Sequence, residues 1–362
     1  MFWTLIGFAL LLLMYAFIYL TIQIIKIPLI KKVKYKILRI IIALAFISSF
    51  FIIFSSINAL IVIIHIFLLT LIAQLCLFIF KKISKKQVKE YFVILLGLVF
   101  SVCYLGIGAF LDYKVFETHY TIETNKNIGA DKFRIIQISD SHIGATFDGN
   151  GFKKHIERIS KIDSDIVVIT GDFVDDGTSK EDMIASCEAL KLLKPKYGVY
   201  FIEGNHDKGY FNYRLFSVEE LNEELEKNGV KVLYDQVEEI NENICLVGRK
   251  DKSSDRLNID ELVQNLDKNR YIIDLNHQPN DYENEKNAKV DLVLSGHTHG
   301  GQLFPLGPLG VLFKANDAYY GMEKRDDTTF IVNSGISDWE IIFKTGTKSE
   351  FGVIDIVSKK DW

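Results

Sequence analysis

Three long stretches of the chain carry no charged residue, and they set its first division: residues 2–25, 40–80 and 91–111. The first and last are each long enough to cross a hydrocarbon core of about 30 Å as a helix. The middle stretch holds 41 residues. At about 1.5 Å per residue it is roughly twice that thickness, so it reads as two spans turning at the polar Ser55, Ser56 and Asn58. Residues 1–111 are therefore expected to form a membrane domain of four transmembrane helices, about 2–25, 40–57, 59–80 and 91–111.

Beyond residue 111 the periodicity changes. After a linker and leading strand over 112–130, with the strand around 120–123, short apolar runs alternate with helical spacing, as α/β domains do. Strands are expected at 133–138, 166–170, 199–202, 272–275 and 290–294. Phe152, Ile156 and Ile159 recur at helical spacing, Ser179 opens a helix ending near Pro195, and Ser217 with Glu220 forms a capping box for a helix stopping at Asn228 and Gly229. No internal repeat or low-complexity segment interrupts this second domain, 131–362.

Charge divides the chain in the same place. Residues 1–110 hold eleven Lys or Arg and one acid, Glu90, so the remainder carries 31 bases against 45 acids, a formal −14. An acidic domain repels a phosphate backbone, which disfavours nucleic acid as a partner, but it suits divalent cations. The basic residues of the first part cluster at 26–39 and 81–89, between spans one and two and between three and four. Basic flanks stay cytoplasmic, so the second domain is expected on the extracytoplasmic side of the membrane. No basic region precedes the first apolar stretch and three more spans follow, so it reads as a span and not a cleaved signal. His65 and Gln74, inside the third span, read as helix contacts or local hydrogen bonds in preference to a polar pathway. Of the four cysteines, Cys76 and Cys103 lie in apolar stretches. Cys187 and Cys245 lack metal-type spacing; free buried thiols are the plain reading, with a Cys187–Cys245 disulfide open if the domain faces an oxidising compartment.

The chemistry sits just after the expected strands, where α/β sheets place their sites. In order these loops read Asp140-Ser141-His142, Gly171-Asp172, Gly204-Asn205-His206-Asp207, Asn276-His277-Gln278-Pro279 and Gly296-His297-Thr298-His299-Gly300-Gly301-Gln302. Five of the eight histidines fall here. A lone Asp-x-His or Gly-Asp is commonplace, but the ordered set is specific for metal ligands. His119 and His155 have no such setting and read as surface or packing residues.

These blocks resemble the calcineurin-like metallophosphoesterase superfamily, whose signatures are Asp-x-His, Gly-Asp-x-x-Asp, Gly-Asn-His-Asp/Glu and Gly-His-x-His. The Gly-Gly-Gln after the last block looks like its membrane-associated branch. The resemblance covers roughly residues 131–357. Ser141 stands where an apolar residue is usual, but it is not a ligand position. The resemblance implies an α/β fold, the four-layer α/β/β/α sandwich, here preceded by the membrane helices. It also implies two divalent metal ions, with Asp172 bridging. One would be held by Asp140, His142, Asp172 and His299, the other by Asp172, Asn205, His277 and His297. Oxygen and imidazole donors without thiolate suit Mn, Fe or Zn.

The expected reaction is hydrolysis of a phosphoester. Cations about 3.5 to 4 Å apart would ionise a shared water for in-line attack, and no Ser or Cys in the loops is placed for a covalent route. His206 is the expected general acid, oriented by Asp207, and Asp175 is expected to cap or orient its loop. The apolar residues 303–313, with Tyr210, Phe211 and Tyr213, either pack under a loop or meet the bilayer interface. The expected substrate is a phosphomonoester or diphosphate on a lipid or cell-envelope molecule. The alternative from another class is a membrane sensor that binds a phosphorylated ligand without turnover. A transporter fits less well, since the spans hold almost no charge.

Overall fold

Two units divide the chain, Met1–Ala109 and Phe110–Trp362. The computed structural model describes residues 2–211 and 214–359, with side chains from residue 11 onward. Tyr213, expected near the site entrance, lies outside the described residues.

The first unit is helical: Phe2–Ile24, Lys36–Ser48 running past Ser49 into Phe50–Ile53, Ser56–Ser84, and most of Phe92–Tyr113. Among the described residues three segments are long and apolar enough to cross a membrane, Lys36–Ile53, Ser56–Ser84 and Phe92–Tyr113. The first helix contributes the shorter apolar piece Leu11–Ile24. Of the four expected spans these are three; residues 2–25, the other, are helical over Phe2–Ile24. Ile52, Phe78 and Val102 point outward and are largely exposed, as lipid-facing side chains are. The polar residues are used within the unit. Gln74 Oε1 accepts from the Tyr19 hydroxyl at 2.5 Å, and His65 Nδ1 lies 2.8 Å from the Ile61 carbonyl.

The second unit is built on two six-stranded sheets. One runs in the order β1 (Phe116–Thr124), β12 (Glu350–Ser358), β2 (Lys132–Ile138), β3 (Ile166–Thr170), β4 (Val199–Ile202), β5 (Val230–Val232). The other runs β10 (Gly321–Arg325), β11 (Thr328–Val332), β9 (Leu292–Ser295), β8 (Tyr271–Leu275), β7 (Ile244–Gly248), β6 (Gln236–Glu239). Neighbours from β2 to β5 are parallel, as are β7, β8, β9 and β11, so their carboxyl ends collect on one edge of each sheet.

Three apolar clusters order the layers. Alternate residues of β2 to β4, such as Ile136, Val167 and Phe201, pack on Phe152, Ile156 and Leu221 of the helices Gly149–Ile159 and Val218–Lys227. Their neighbours on the opposite face, Ile135, Val168 and Ile202, meet Leu246, Ile273, Leu292 and Ile331 of the second sheet. The far face of that sheet, Val247, Ile272 and Phe330, packs on Ile259, Val263 and Tyr282. The result is helix, sheet, sheet, helix. The period of two along a strand sends alternate side chains to opposite faces, so strands buried on both faces read as unbroken apolar runs. Cys187 and Cys245 are both buried and free.

Candidate metal centre

Every expected ligand stands two to four residues past a strand end: Asp140 and His142 after β2, Asp172 after β3, Asn205 after β4, His277 after β8, His297 and His299 after β9. The turns there are tight. Asp140, His142, Asp172, His297 and His299 all hold left-handed φ angles between 36° and 70°, and they are five of the eleven non-glycine residues that do so among those described. Such a backbone costs roughly 1–3 kcal/mol per residue and persists where the surroundings over-determine it. Glycine is required where two loops touch: a Cβ on Gly204 would run into Asp172, and one on Gly296 into Asp140.

The loops bring the ligands into two groups, Asp140 with His142 and His299, and Asp172 with His277 and His297, their ligand atoms within 4.8 Å of one another in each group. Asp172 Oδ2 faces both, 3.1 Å from His277 Nε2 and 3.7 Å from His142 Nε2. His299 Nε2 is 3.7 Å from Asp140 Oδ1.

The unmet hydrogen-bonding capacity tests whether metal ions fit. His142 Nε2, His277 Nε2 and Asn205 Oδ1 are buried without a hydrogen-bond partner, and the close approach of His277 to Asp172 is poorly directed for one. Leaving such atoms unpaired is costly. Each of these side chains is meanwhile held by its far atom. His142 Nδ1 lies 3.2 Å from Asp175, His277 Nδ1 donates to the Thr170 carbonyl at 2.7 Å, and Asn205 Nδ2 donates to the Tyr210 hydroxyl at 2.7 Å. Far-side anchoring that aims a free donor atom inward is how metal ligands are oriented. Two carboxylates, four imidazoles and an amide oxygen, with no thiolate, fit a pair of divalent cations.

Charge tells the same story. Burial works against a proton on His277, yet Asp172, Asp140 and Asp251 outweigh it and push its pKa up to about 10. Burial and the charge of His277 push His297 down to about 4. The same carboxylates that favour a proton on His277 would favour a cation in its place.

His206 is held differently from the sequence expectation. Its Nδ1 bonds Asp175 Oδ1 at 3.1 Å, while the other oxygen of Asp175 faces His142. Asp207, the expected orienting partner, is instead committed to the backbone: its carboxylate accepts from the amides of Asp172, Phe173, Val174 and Gly204 at 2.7 to 3.0 Å. The physical reason is that the turns after β3 and β4 leave four inward amides needing an acceptor. Burial, then the nearby Asp172, pushes the Asp207 carboxyl up to about 7. For His206 burial lowers the pKa, but the bond to Asp175 and the charges of Asp172, Asp175 and Asp207 outweigh it and raise it.

Residues 133–301 match the calcineurin-like phosphoesterase family. An uncharacterized metallophosphoesterase of Aquifex aeolicus is 34% identical over 198 residues, 52% of this chain and 71% of that one. This chain belongs to the calcineurin-like phosphoesterase family. A transmembrane protein with metallophosphoesterase domain from Danio rerio is 30% identical over 243 residues, 63% of this chain and 53% of that protein, so the chain spans about half of that relative's length. Among solved structures, a dimetal phosphatase from Danio rerio is similar at 11% identity and a TM-score of 0.36, over 59% of this chain and 88% of that one.

Beyond the expected ligands, three residues bear on the centre. Asp175 links His142 to His206. Asp338 lies 2.9 Å from His299 Nδ1, and the fully buried Lys344 lies 3.5 Å from Asp338 and donates to the Ser334 carbonyl at 2.7 Å. Burial pushes Lys344 down to about 8, partly offset by Asp112, Asp140 and Glu350. Only Asp175 was reachable, as the last acid of Gly-Asp-x-x-Asp; Asp338 and Lys344 stand in no motif. At the rim, the rings of Tyr210 and Trp339 lie 5.0 and 6.3 Å from His206. His119 pairs with Glu117 at an exposed position and His155 packs on Phe147, both away from these groups.

Proposed function

We propose that the chain hydrolyses a phosphoester, a monoester or a diphosphate, at two divalent ions of the Mn, Fe or Zn type. One observation carries the reading: a single oxygen of Asp172 faces imidazole nitrogens from both ligand groups. Asp140, His142, Asp172 and His299 would hold one ion, and Asp172, Asn205, His277 and His297 the other. When bound, such ions polarise phosphoryl oxygens and make water acidic enough to attack near neutral pH.

The chain's own residues supply the rest. Asp175 fixes the ring of His206 through Nδ1 and favours its protonated form. His206 then donates the Nε2 proton to the leaving oxygen, as a general acid. Asp207 holds the two loops together through their amides. The positive residues at 26–39 and 81–89 support an extracytoplasmic catalytic unit, and a substrate on a lipid or cell-envelope molecule follows from that side.

The test is turnover of an aryl phosphate and a bis-aryl phosphate by purified protein stripped of metal and then given Mn²⁺, Fe²⁺ or Zn²⁺. Metal-dependent release is expected on at least one ester. No turnover with any metal on either ester would favour a phosphate-binding sensor. A reporter fused after Leu111 checks the side: a cytoplasmic signal removes the outer-face substrate.

A further inference from the structure

Residues 303–313, directly after the last ligand loop, contain no charged side chain. They form the short helix Leu306–Leu312, which buries Gly307 against Tyr319. Phe304, Leu306, Leu309, Leu312 and Phe313 are 37% to 76% exposed. Single exposed apolar residues need no explanation, but five within ten positions mark a surface made to be covered.

Hydrogen bonds tie the segment to the end of an apolar helix. The amide of Phe304 donates to Thr345 Oγ1 at 3.0 Å, and the amides of Thr345 and Gly346 donate to the Gln302 carbonyl at 2.9 and 3.1 Å. Four residues on, the amide of Ser349 donates to the carbonyl of Leu111 at 2.9 Å, in the last turn of the apolar helix Phe92–Tyr113. Four residues reach at most about 14 Å, so with the two hydrogen bonds the apolar segment begins within about 20 Å of the point where the chain leaves that helix. Lysines adjoin both ends of this path in sequence. Lys114 and Lys348 both lie over the Phe116 ring, at 5.0 and 5.3 Å, and Lys314 directly follows the apolar run. An apolar face followed by a lysine, one short loop from a helix long and apolar enough to cross a membrane, has the composition of an interfacial anchor.

We propose that residues 303–313 lie in the interface of the bilayer that carries the apolar helices, with these five side chains among the acyl-chain ends and Lys314 at the lipid phosphates. The segment is continuous with the ligand loop, since Gln302 Nε2 donates to the carbonyls of Ile341 and Phe343 and His299 lies three residues earlier. The anchor therefore sets the rim of the metal centre at the membrane surface. The inference rests on the membrane reading of the helices and is independent of the ester cleaved.

The test uses the full chain in nanodiscs of zwitterionic and anionic phospholipid. The exposed Cys76 and Cys103 are replaced by Ser, and Leu312→Cys carries an environment-sensitive fluorophore. The expected result is quenching by lipids with a nitroxide on the acyl chain and protection from aqueous iodide. Iodide quenching without lipid quenching overturns the proposal, and protection from both means that a second copy of the chain covers the face, which also overturns it. With the label moved to Phe313→Cys, the pair Leu309→Asp and Leu312→Asp should exchange lipid quenching for iodide quenching, and an unchanged pattern overturns the proposal too. Aryl phosphate turnover is read on the same samples. A lipid-quenched but inactive protein sinks the phosphoesterase reading and leaves this one standing.

Discussion

Two clusters of buried charge lie near the carboxyl ends of strands in the same unit, and they meet one physical problem in opposite ways. Around Arg249, which follows β7, the chain supplies its own cation: the guanidinium is 2.8 Å from Asp281, 3.1 Å from Glu285 and 3.8 Å from Asp274. Around Asp140 and Asp172 the ion-pair partners within 4 Å are, among the described residues, imidazoles alone, and two of those imidazoles leave a nitrogen unpartnered. Burying a charge costs several kcal/mol unless it is paired. Burial by itself is therefore no sign of chemistry. What separates the clusters is that one closes its own charge while the other leaves a place for a cation from outside.

The sharpest way to break the comparison is Asp172→Asn, which removes the one oxygen charge that both ligand groups share. Metal-dependent turnover should fall about 10³-fold or more, several kcal/mol of lost transition-state stabilisation. Elemental analysis should show fewer than two ions per chain, while the variant still unfolds cooperatively. Activity within tenfold of the parent, with both ions retained, would overturn the bridging role.

Arg249→Met probes the other cluster and should do the reverse. Removing the internal cation leaves Asp274 and Glu285 buried without it, and the half-buried Asp281 with only Arg256 at 3.8 Å, at a cost of about 3–5 kcal/mol in stability, while the folded fraction keeps its metal. Urea unfolding measures it. The pH dependence has a definite sign. Burial pushes Asp274 up to about 6 and Glu285 well above the carboxylate range. A carboxyl whose folded pKa stands above its unfolded value binds more protons when folded, so its penalty is relieved as pH falls through the folded pKa. The gap between variant and parent should therefore narrow from pH 8 to pH 5. A gap that widens on acidification would mean the acids are not held by Arg249.

The same contrast explains what was legible in the chain. The strands β2, β3, β4, β8 and β9 are apolar, β-branched runs each followed by a motif, so pattern and chemistry agree. The edge strands β6 and β10 read Gln-Val-Glu-Glu and Gly-Met-Glu-Lys-Arg and carry no buried face to announce them. β12 is apolar enough, but it pairs with β1 and β2 from the far end of the chain, and that partnership is invisible locally. Within the site, motif order named the residues whose chemistry is bound to a turn. It could not name Asp338 or Lys344, which reach the centre only because Asp338 follows β11 and Lys344 is drawn in by the carbonyl of Ser334.

The assignment of Asp207 fails for a related reason, and it leads to the smallest predicted effect. Adjacency in sequence suggested that Asp207 steers His206, but consecutive side chains in a turn point apart, and Asp175 arrives from the neighbouring loop because β3 and β4 pair. His206→Gln should cost about 10² to 10⁴ in rate, the usual worth of a general acid. Asp175→Asn keeps the ring but removes its anionic partner, so the loss should be about 10 to 100-fold, the scale of an orienting contact. Its distinguishing mark is the pH profile. Burial lowers the pKa of His206 and Asp175 is foremost among the groups that raise it, so without that charge the imidazole loses its proton at lower pH. The alkaline limb of kcat/KM, which reports the protonated acid, should then move toward acid. Asp207→Asn gives the contrary signature, since losing an acceptor for four amides loosens both loops and lowers stability while the limb moves less than in Asp175→Asn. If Asp207→Asn shifts the limb and Asp175→Asn does not, the orienting role returns to Asp207 and the division between the two carboxylates is wrong.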